Sequence, residues 1–197
     1  MALVYLLAAL GENRALPVAR KHLPDLADAE RDLMLTRITG DKEILTSSGG
    51  RLFDAVGALL GICPINHYEG QAAIELEAYA SKKAGNYSYN IDCEENTWIM
   101  NPLPLWPELL ADMEQDLPAG EIAYKFHLTM VSMFTDALQK VREESGLNRV
   151  VLSGGVFHNQ ILLIELLHSL QAAGFTAYHH QQVPPGDGGL SLGQAII

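Results

Sequence analysis

Leu3, Leu6, Leu7 and Leu10 recur at helical spacing through a chain start that is apolar except for Tyr5, which predicts a buried helix. The run is too short for a membrane span of about twenty residues, and it lacks the basic leader of a signal peptide. With no polar lead-in or N-cap residue before it, the chain is expected to be a fragment that begins inside a packed element. A second helical pattern covers Asp25 to Ile38, with Pro24 ahead of it and Gly40 behind it as start and stop signals. Next, Ser47 or Ser48 can cap a helix whose stripe is Leu52, Phe53, Val56, Leu59 and Leu60, closed by Gly61.

Beyond Pro64, the segment from Tyr68 to Glu77 reads as a turn leading into a helix that lasts to about Lys83. Tyr87 to Ile91 and Thr97 to Met100 are expected as strands of a small hairpin, joined by an acidic turn holding Asp92, Glu94 and Glu95. Pro102, Pro104 and Pro107 then interrupt the chain before helices over Glu108 to Asp116 and Glu121 to Ser145, the latter ended by Gly146. The last fifty or so residues carry the clearest pattern. A strand over Arg149 to Leu152, a helix over Phe157 to Ala173 and a strand over Phe175 to His179 make a right-handed βαβ crossover with parallel strands. A short apolar helix from Leu190 to the end follows Pro184-Pro185-Gly186-Asp187-Gly188-Gly189. The predicted organisation is a single domain, or one lobe of a larger one: a helical lead-in (1–45), a helical part with a small hairpin (46–146) and a βαβ core with its loops (147–197).

Composition narrows the function classes. The 197 residues are 48% hydrophobic and 19% charged, which is globular composition. A net charge of -11 with no basic cluster argues against a nucleic-acid surface. Cys63 and Cys93 stand thirty positions apart outside any C-x-x-C pattern, so neither a disulfide framework nor a zinc site is indicated, and a reducing cytoplasm fits best.

Candidate chemistry gathers where the strand Val150-Val151-Leu152 runs into Ser153-Gly154-Gly155 and then a helix. Gly154 and Gly155 can take positive φ and let a ligand approach the backbone, while free N–H groups at the helix start suit phosphate. Glycines also serve strand-to-helix turns for packing alone. Asn159 can close the first turn of its helix or contact a nucleotide held over the glycine pair. Asp187, between glycines and ahead of a helix, fits either an N-cap or a hard-oxygen metal ligand. Asp54 fits either an exposed helix acid or a partner for a ribose hydroxyl. Glu69, Glu75 and Glu77 read as a solvated helix face. The histidines offer no i, i+4 metal pair, and His179 and His180 point to opposite faces of a strand end. No nucleophile with a partnered base is visible and no Walker A lysine follows the glycines, so the catalytic residues are unknown.

Four segments together carry a family resemblance: Ser47 to Gly61 (SSGGRLFDAVGALLG), Tyr68 to Glu77 (YEGQAAIELE), Leu152 to Asn159 (LSGGVFHN) and Val183 to Ala195 (VPPGDGGLSLGQA). Spread in order between Ser47 and Ala195, they resemble the C-terminal part of the HypF family, the carbamoyltransferases of [NiFe]-hydrogenase maturation. The resemblance implies the second lobe of an α/β domain with the actin-like, sugar-kinase-like (ASKHA) nucleotide-binding fold, helix-rich with a small mixed sheet. It implies that Asp187 completes a divalent-metal site (Mg, Fe or Zn) whose histidine ligands belong to a first lobe. It also implies that Asn159, Gly154 and Gly155 are nucleotide contacts, and that Asp54 and Gly70 contact the nucleoside side. The reaction implied takes carbamoyl phosphate and ATP to a carbamoyl-adenylate. The carbamoyl group then passes to the C-terminal cysteine of a HypE-like acceptor.

Gly186 stands where the family usually has Asn, and His158 where Gln is common. The H-H-x-A-H motif of the first lobe is absent from this sequence, as are the family's acylphosphatase-like, zinc-finger and YrdC-like domains. Transfer activity by this chain alone is therefore expected to be negligible, with self-association through apolar surface meant for the first lobe. The alternatives are a tRNA threonylcarbamoyladenosine transferase-like enzyme, which the acidic balance disfavours, and a non-catalytic module that docks a protein partner. Neither nucleic acid nor membrane is expected as a partner.

Overall fold

The computed structural model describes residues 1–38 and 46–196. Gly40, the expected helix stop, the 45/46 boundary of the lead-in and the terminal Ile197 fall outside or at the edge of these residues. The chain divides into two compact units, Met1–Tyr79 and Ala80–Ile197. The division thus falls inside the 46–146 stretch that the hydrophobic pattern treats as one part. The reason is packing: the helix after Ser48 packs with elements near the N-terminus, whereas the hairpin packs on the long helix that follows it.

The first unit holds α1 (Ala2–Leu10), α2 (Glu12–His22), α3 (Asp28–Ile38), α4 (Gly49–Leu59) and α5 (Gln71–Tyr79). α4 buries Leu52, Phe53, Val56 and Leu59 of its predicted stripe, whereas Leu60 falls at the C-cap and is only half-buried. Gly57 lets α5 come close: a methyl built on it would lie 3.2 Å from the Ala72 Cβ. The pattern gave no warning of α2. Its buried residues are only Ala15 and Ala19, and Pro17 interrupts it, so the large-residue periodicity of a helix is missing. The tight packing of α1 with α2 through these small side chains, with Glu12 in the first turn and Arg20, Lys21 and His22 in the last, favours the helix anyway.

In the second unit β1 (Asn90–Glu94) and β2 (Thr97–Asn101) form an antiparallel hairpin. Its turn residues Glu95 and Asn96 both have positive φ, 46° and 66°, which matches the right-handed twist of the flanking strands. There follow α6 (Leu105–Glu114), α7 (Ala119–Ser145), β3 (Arg149–Leu152), a 3-10 turn over Gly155–His158, α8 (Gln160–Ala172), β4 (Thr176–His179), a 3-10 turn over Asp187–Gly189, and α9 (Leu190–Ile196). β3 and β4 pair in parallel, from Arg149 opposite Thr176 to Leu152 opposite His179, with α8 as the crossover. Parallel and antiparallel pairing are both present, in separate two-stranded sheets. The core is built from Trp106, Leu109, Ile122, Phe126, Met130, Met133, Leu162, Leu166 and Leu170. Among the described residues no helix is long and apolar enough to cross a membrane.

Two boundaries moved for the same reason. α5 stops at Tyr79 and not near Lys83, and the first hairpin strand starts at Asn90 and not at Tyr87. Between them the chain is an extended strap tied to α6 and α7. Ser81 N–H donates to Gly120 O at 2.9 Å. Tyr87 N–H donates to Thr129 Oγ1 at 2.8 Å, the Tyr87 hydroxyl to Asp112 at 2.8 Å and the Tyr89 hydroxyl to Asp136 at 2.7 Å. Lys125 also bonds Asp112 and lies over the Tyr87 ring, 4.2 Å from its centroid. Burial and the neighbouring carboxylates push both phenols well above their usual range. These tertiary bonds outweigh the local preference to extend the helix or the strand.

Candidate functional site: the glycine turn and the acidic loop

Backbone geometry joins the two glycine-rich segments of the second unit. Gly154 has φ +111°, a conformation that a Cβ disfavours, and its N–H donates to Pro185 O at 2.8 Å. Gly186 then lies against the turn, where a methyl built on it would be 3.4 Å from Gly155 Cα and 3.2 Å from His158 Nε2. The loop is itself tightly folded: Gly189 N–H donates to Gly186 O at 2.9 Å, and a Cβ on Gly189 would collide with Pro184 O at 2.6 Å. Gly155 is exposed. Neither its N–H nor that of Val156 donates to another group among the described residues. The turn therefore presents backbone donors beside the acidic loop, the arrangement that receives anions.

Asp187 is exposed. Gly186, not Asp187, occupies the cap position of the 3-10 turn, and no side-chain cap bond is made there. Its carboxylate has no hydrogen bond or ion pair with any described residue. Asp187 therefore does not cap this turn. The carboxylate stands open to solvent one residue beyond the glycine that touches the turn.

Asn159 is 5% exposed and caps α8, its Oδ1 accepting the Leu162 N–H at 2.9 Å. Its Nδ2 faces His127 Nε2 at 2.8 Å. His127 lies in the middle of α7, fully buried, with Nδ1 2.7 Å from Ala123 O. Burial lowers its pKa to about 4, against the weaker opposing pull of the Ala123 carbonyl. The sequence offered no signal for this pairing beyond a polar residue on an apolar face. A second unanticipated pair sits on the turn's own serine: Ser153 Oγ lies 3.1 Å from His180 Nε2 and 3.4 Å from Pro185 O.

Asp54 and Gly70 belong to the first unit. Asp54 is largely engaged: Arg51 approaches one oxygen at 2.9 Å and Asn66 Nδ2 donates to the other at 2.8 Å. Asn66 Oδ1 in turn accepts from the Cys63 thiol at 3.2 Å. Burial, reinforced by the Glu75 carboxylate, raises the Cys63 pKa, so this thiol is no nucleophile. Gly70 takes φ +78° immediately before α5. A cavity of about 500 Å³ in this unit, walled by Leu3, Leu23, Leu26, Met34, Ala58 and Ile65 among others, touches neither residue.

The donor set also bears on metal binding. Among the described residues no group of three or more His, Cys, Asp and Glu side chains could hold a metal ion. Asp187 is therefore part of no such group among them.

Comparison with known proteins assigns the class. Residues 1–194 match the family model described as "Carbamoyltransferase, Kae1-like Domain, second subdomain". A solved structure titled as full-length HypF in the phosphate- and nucleotide-bound form superposes with TM-score 0.84 at 36% identity, covering 98% of this chain and 25% of that one. The HypF of T. kodakarensis superposes with TM-score 0.82 at 27% identity, over 100% of this chain and 26% of its own. The fold is therefore that of a Kae1-like lobe, helix-rich with little sheet.

The relatives narrow this further. The carbamoyltransferase HypF of Rhodobacter capsulatus is 35% identical over 182 residues, 89% of this chain and 23% of the relative. The probable carbamoyltransferase HypF of Methanocaldococcus jannaschii is 31% identical over 171 residues, 85% of this chain and 22% of the relative. The chain belongs to the HypF carbamoyltransferase family and spans about a quarter of the length of these relatives.

Proposed function

We propose that this chain is the second lobe of a HypF-type carbamoyltransferase, which uses carbamoyl phosphate and ATP, through a carbamoyl-adenylate, to carbamoylate the C-terminal cysteine of a HypE-like acceptor in [NiFe]-hydrogenase maturation. The observation that carries the reading is the junction of the two glycine segments. The Gly154–Pro185 bond puts Asp187, whose carboxylate is unengaged among the described residues, on the loop that abuts a turn whose Gly155 and Val156 N–H groups have no acceptor among them.

In this role the N–H groups of Gly155 and Val156 bind nucleotide phosphate oxygens, and the φ of Gly154 keeps side-chain bulk off that approach. Asp187 contributes one oxygen to a divalent cation shared with residues of a first lobe. That cation would supply charge neutralisation on the phosphate as it leaves. Asp54 and Gly70 are assigned to the nucleoside side, as their motifs imply. The chain acts as one wall of a cleft, so alone it transfers little or no carbamoyl group, because orientation and enclosure need both walls.

Isothermal titration of ATP with and without Mg²⁺, against the chain and its Asp187→Ala variant, tests the reading. Binding that strengthens with Mg²⁺ and loses that gain in the variant is expected. Absence of binding under every condition would favour a non-catalytic docking module or an inert fragment. Robust turnover of carbamoyl phosphate by the chain alone would contradict the shared cleft.

A further inference from the structure

We infer that His127 is a positioning residue: from the middle of α7 it fixes the amide of Asn159 and, through it, the shape of the glycine turn at the start of α8. The functional part of this inference rests on the nucleotide reading above, whereas its structural part stands alone.

The bonding pattern leaves one consistent assignment. Ala123 O is an acceptor only, so His127 Nδ1, 2.7 Å away, must carry the proton. In a neutral ring Nε2 is then an acceptor, and the Asn159 group facing it at 2.8 Å must be the NH₂ end. That leaves Asn159 Oδ1 directed at the Leu162 N–H, 2.9 Å away. A single chain of bonds therefore runs from the backbone of α7 through two buried side chains to the first turn of α8. The low pKa of His127 agrees with the neutral form that this chain requires.

The turn between Gly154 and Asn159 is short enough to feel that constraint. Phe157 N–H donates to Gly154 O at 3.1 Å and Asn159 N–H to Val156 O at 3.2 Å, so Asn159 closes the 3-10 turn at one end while Pro185 ties it at the other. Without the acceptor at Nε2, the buried Asn159 NH₂ loses its partner. The amide can then rotate and release the cap. A histidine present only to fill volume would have no such directional effect.

The test uses the full chain and its variants His127→Leu, His127→Gln and, as a core control on the same helix, Met133→Ala. Met133 is 1% exposed and outside the bond chain. Long-range ¹⁵N spectra of the wild type should show the Nδ1–H tautomer of His127. An Nε2–H tautomer overturns the inference even if no variant folds. In amide hydrogen exchange, His127→Leu should accelerate Leu162 and Asn159 by about tenfold or more beyond its effect on the rest of α8. His127→Gln, whose carbonyl can accept from Asn159, should restore most of that protection. Met133→Ala should show no such local excess. Equal local effects in His127→Leu and Met133→Ala would reduce His127 to packing.

A second arm reads ATP affinity. If the wild type binds, His127→Leu should weaken binding by about tenfold and His127→Gln by much less. Unchanged affinity with an opened turn would refute the functional part. If the wild type does not bind ATP, the nucleotide reading fails and the exchange data still decide the positioning role.

Discussion

The N–H of Gly154 and the carbonyl oxygen of Pro185 are 2.8 Å apart, and this single backbone bond unites two segments thirty-one residues apart in sequence into one surface. Each segment alone is a common glycine-rich turn. Together they set the Asp187 loop against the glycine turn, with Asp187 exposed.

Glycine is required at two points of that junction for different reasons. Gly154→Ala places a side chain at φ +111°, with an expected cost of about 1–3 kcal/mol. Gly189→Ala forces a methyl to within 2.6 Å of Pro184 O and should unseat the acidic loop. Thermal unfolding should show a midpoint several degrees lower for Gly154→Ala, by about 2–4 °C per kcal/mol. Gly155→Ala, where a methyl would meet nothing within 4 Å, should leave the midpoint nearly unchanged.

Asp187→Asn should be silent in stability and loud in binding. The carboxylate is exposed and makes no hydrogen bond or ion pair among the described residues, so the expected stability change is within about 0.5 kcal/mol. The Mg²⁺-dependent part of ATP affinity should fall by about tenfold or more. A calorimetric titration paired with a denaturant melt separates the two effects.

His127 makes stability depend on acid. Its folded pKa is depressed from 6.5 to about 4, so the unfolded chain takes up the proton first. The contribution of the neutral ring is complete above pH 6.5 and erodes as pH falls towards 4, by at most about 1.4 kcal/mol per pH unit. Urea melts between pH 7 and pH 4 should show this slope, and His127→Gln should flatten it.

The two cysteines should differ sharply towards thiol reagents. Cys93 is exposed, whereas Cys63 is buried, with its pKa raised by desolvation and by Glu75. At pH 8 a disulfide reagent should label Cys93 within the mixing time of a bench assay and Cys63 slowly, at a rate that tracks local opening. Asn66→Ala, which removes one of two acceptors of the Cys63 thiol and a partner of Asp54, should speed the slow phase.

Gly186 and His158, where the resemblance leads one to expect Asn and Gln, are close neighbours. A Cβ at position 186 would lie 3.2 Å from His158 Nε2, so Gly186→Asn should displace the imidazole or the loop. Pairing it with His158→Gln should relieve the conflict, giving a favourable coupling of about 1 kcal/mol in a double-mutant cycle.

What the sequence determined by itself was local. Hydrophobic spacing located α1, α4, α7 and the βαβ crossover, because each buries one large-residue stripe or alternating face. The glycine and proline positions marked the turns at Gly154 and Pro184, because few other residues tolerate those backbone angles. Tertiary structure decided what local pattern cannot encode. Packing with α1 makes α2 a helix through two alanines and despite a proline, and bonds to α6 and α7 cut α5 short and hold Tyr87 out of the hairpin. The same holds at the candidate site. The residue types at Gly154, Gly155, Asn159 and Asp187 were legible, but their engagement was not: a buried histidine thirty-two positions away holds Asn159, whereas Asp187 has no hydrogen bond or ion pair among the described residues. Hydrogen bonds between distant segments depend on where the chain returns in space, and no window of sequence contains that return.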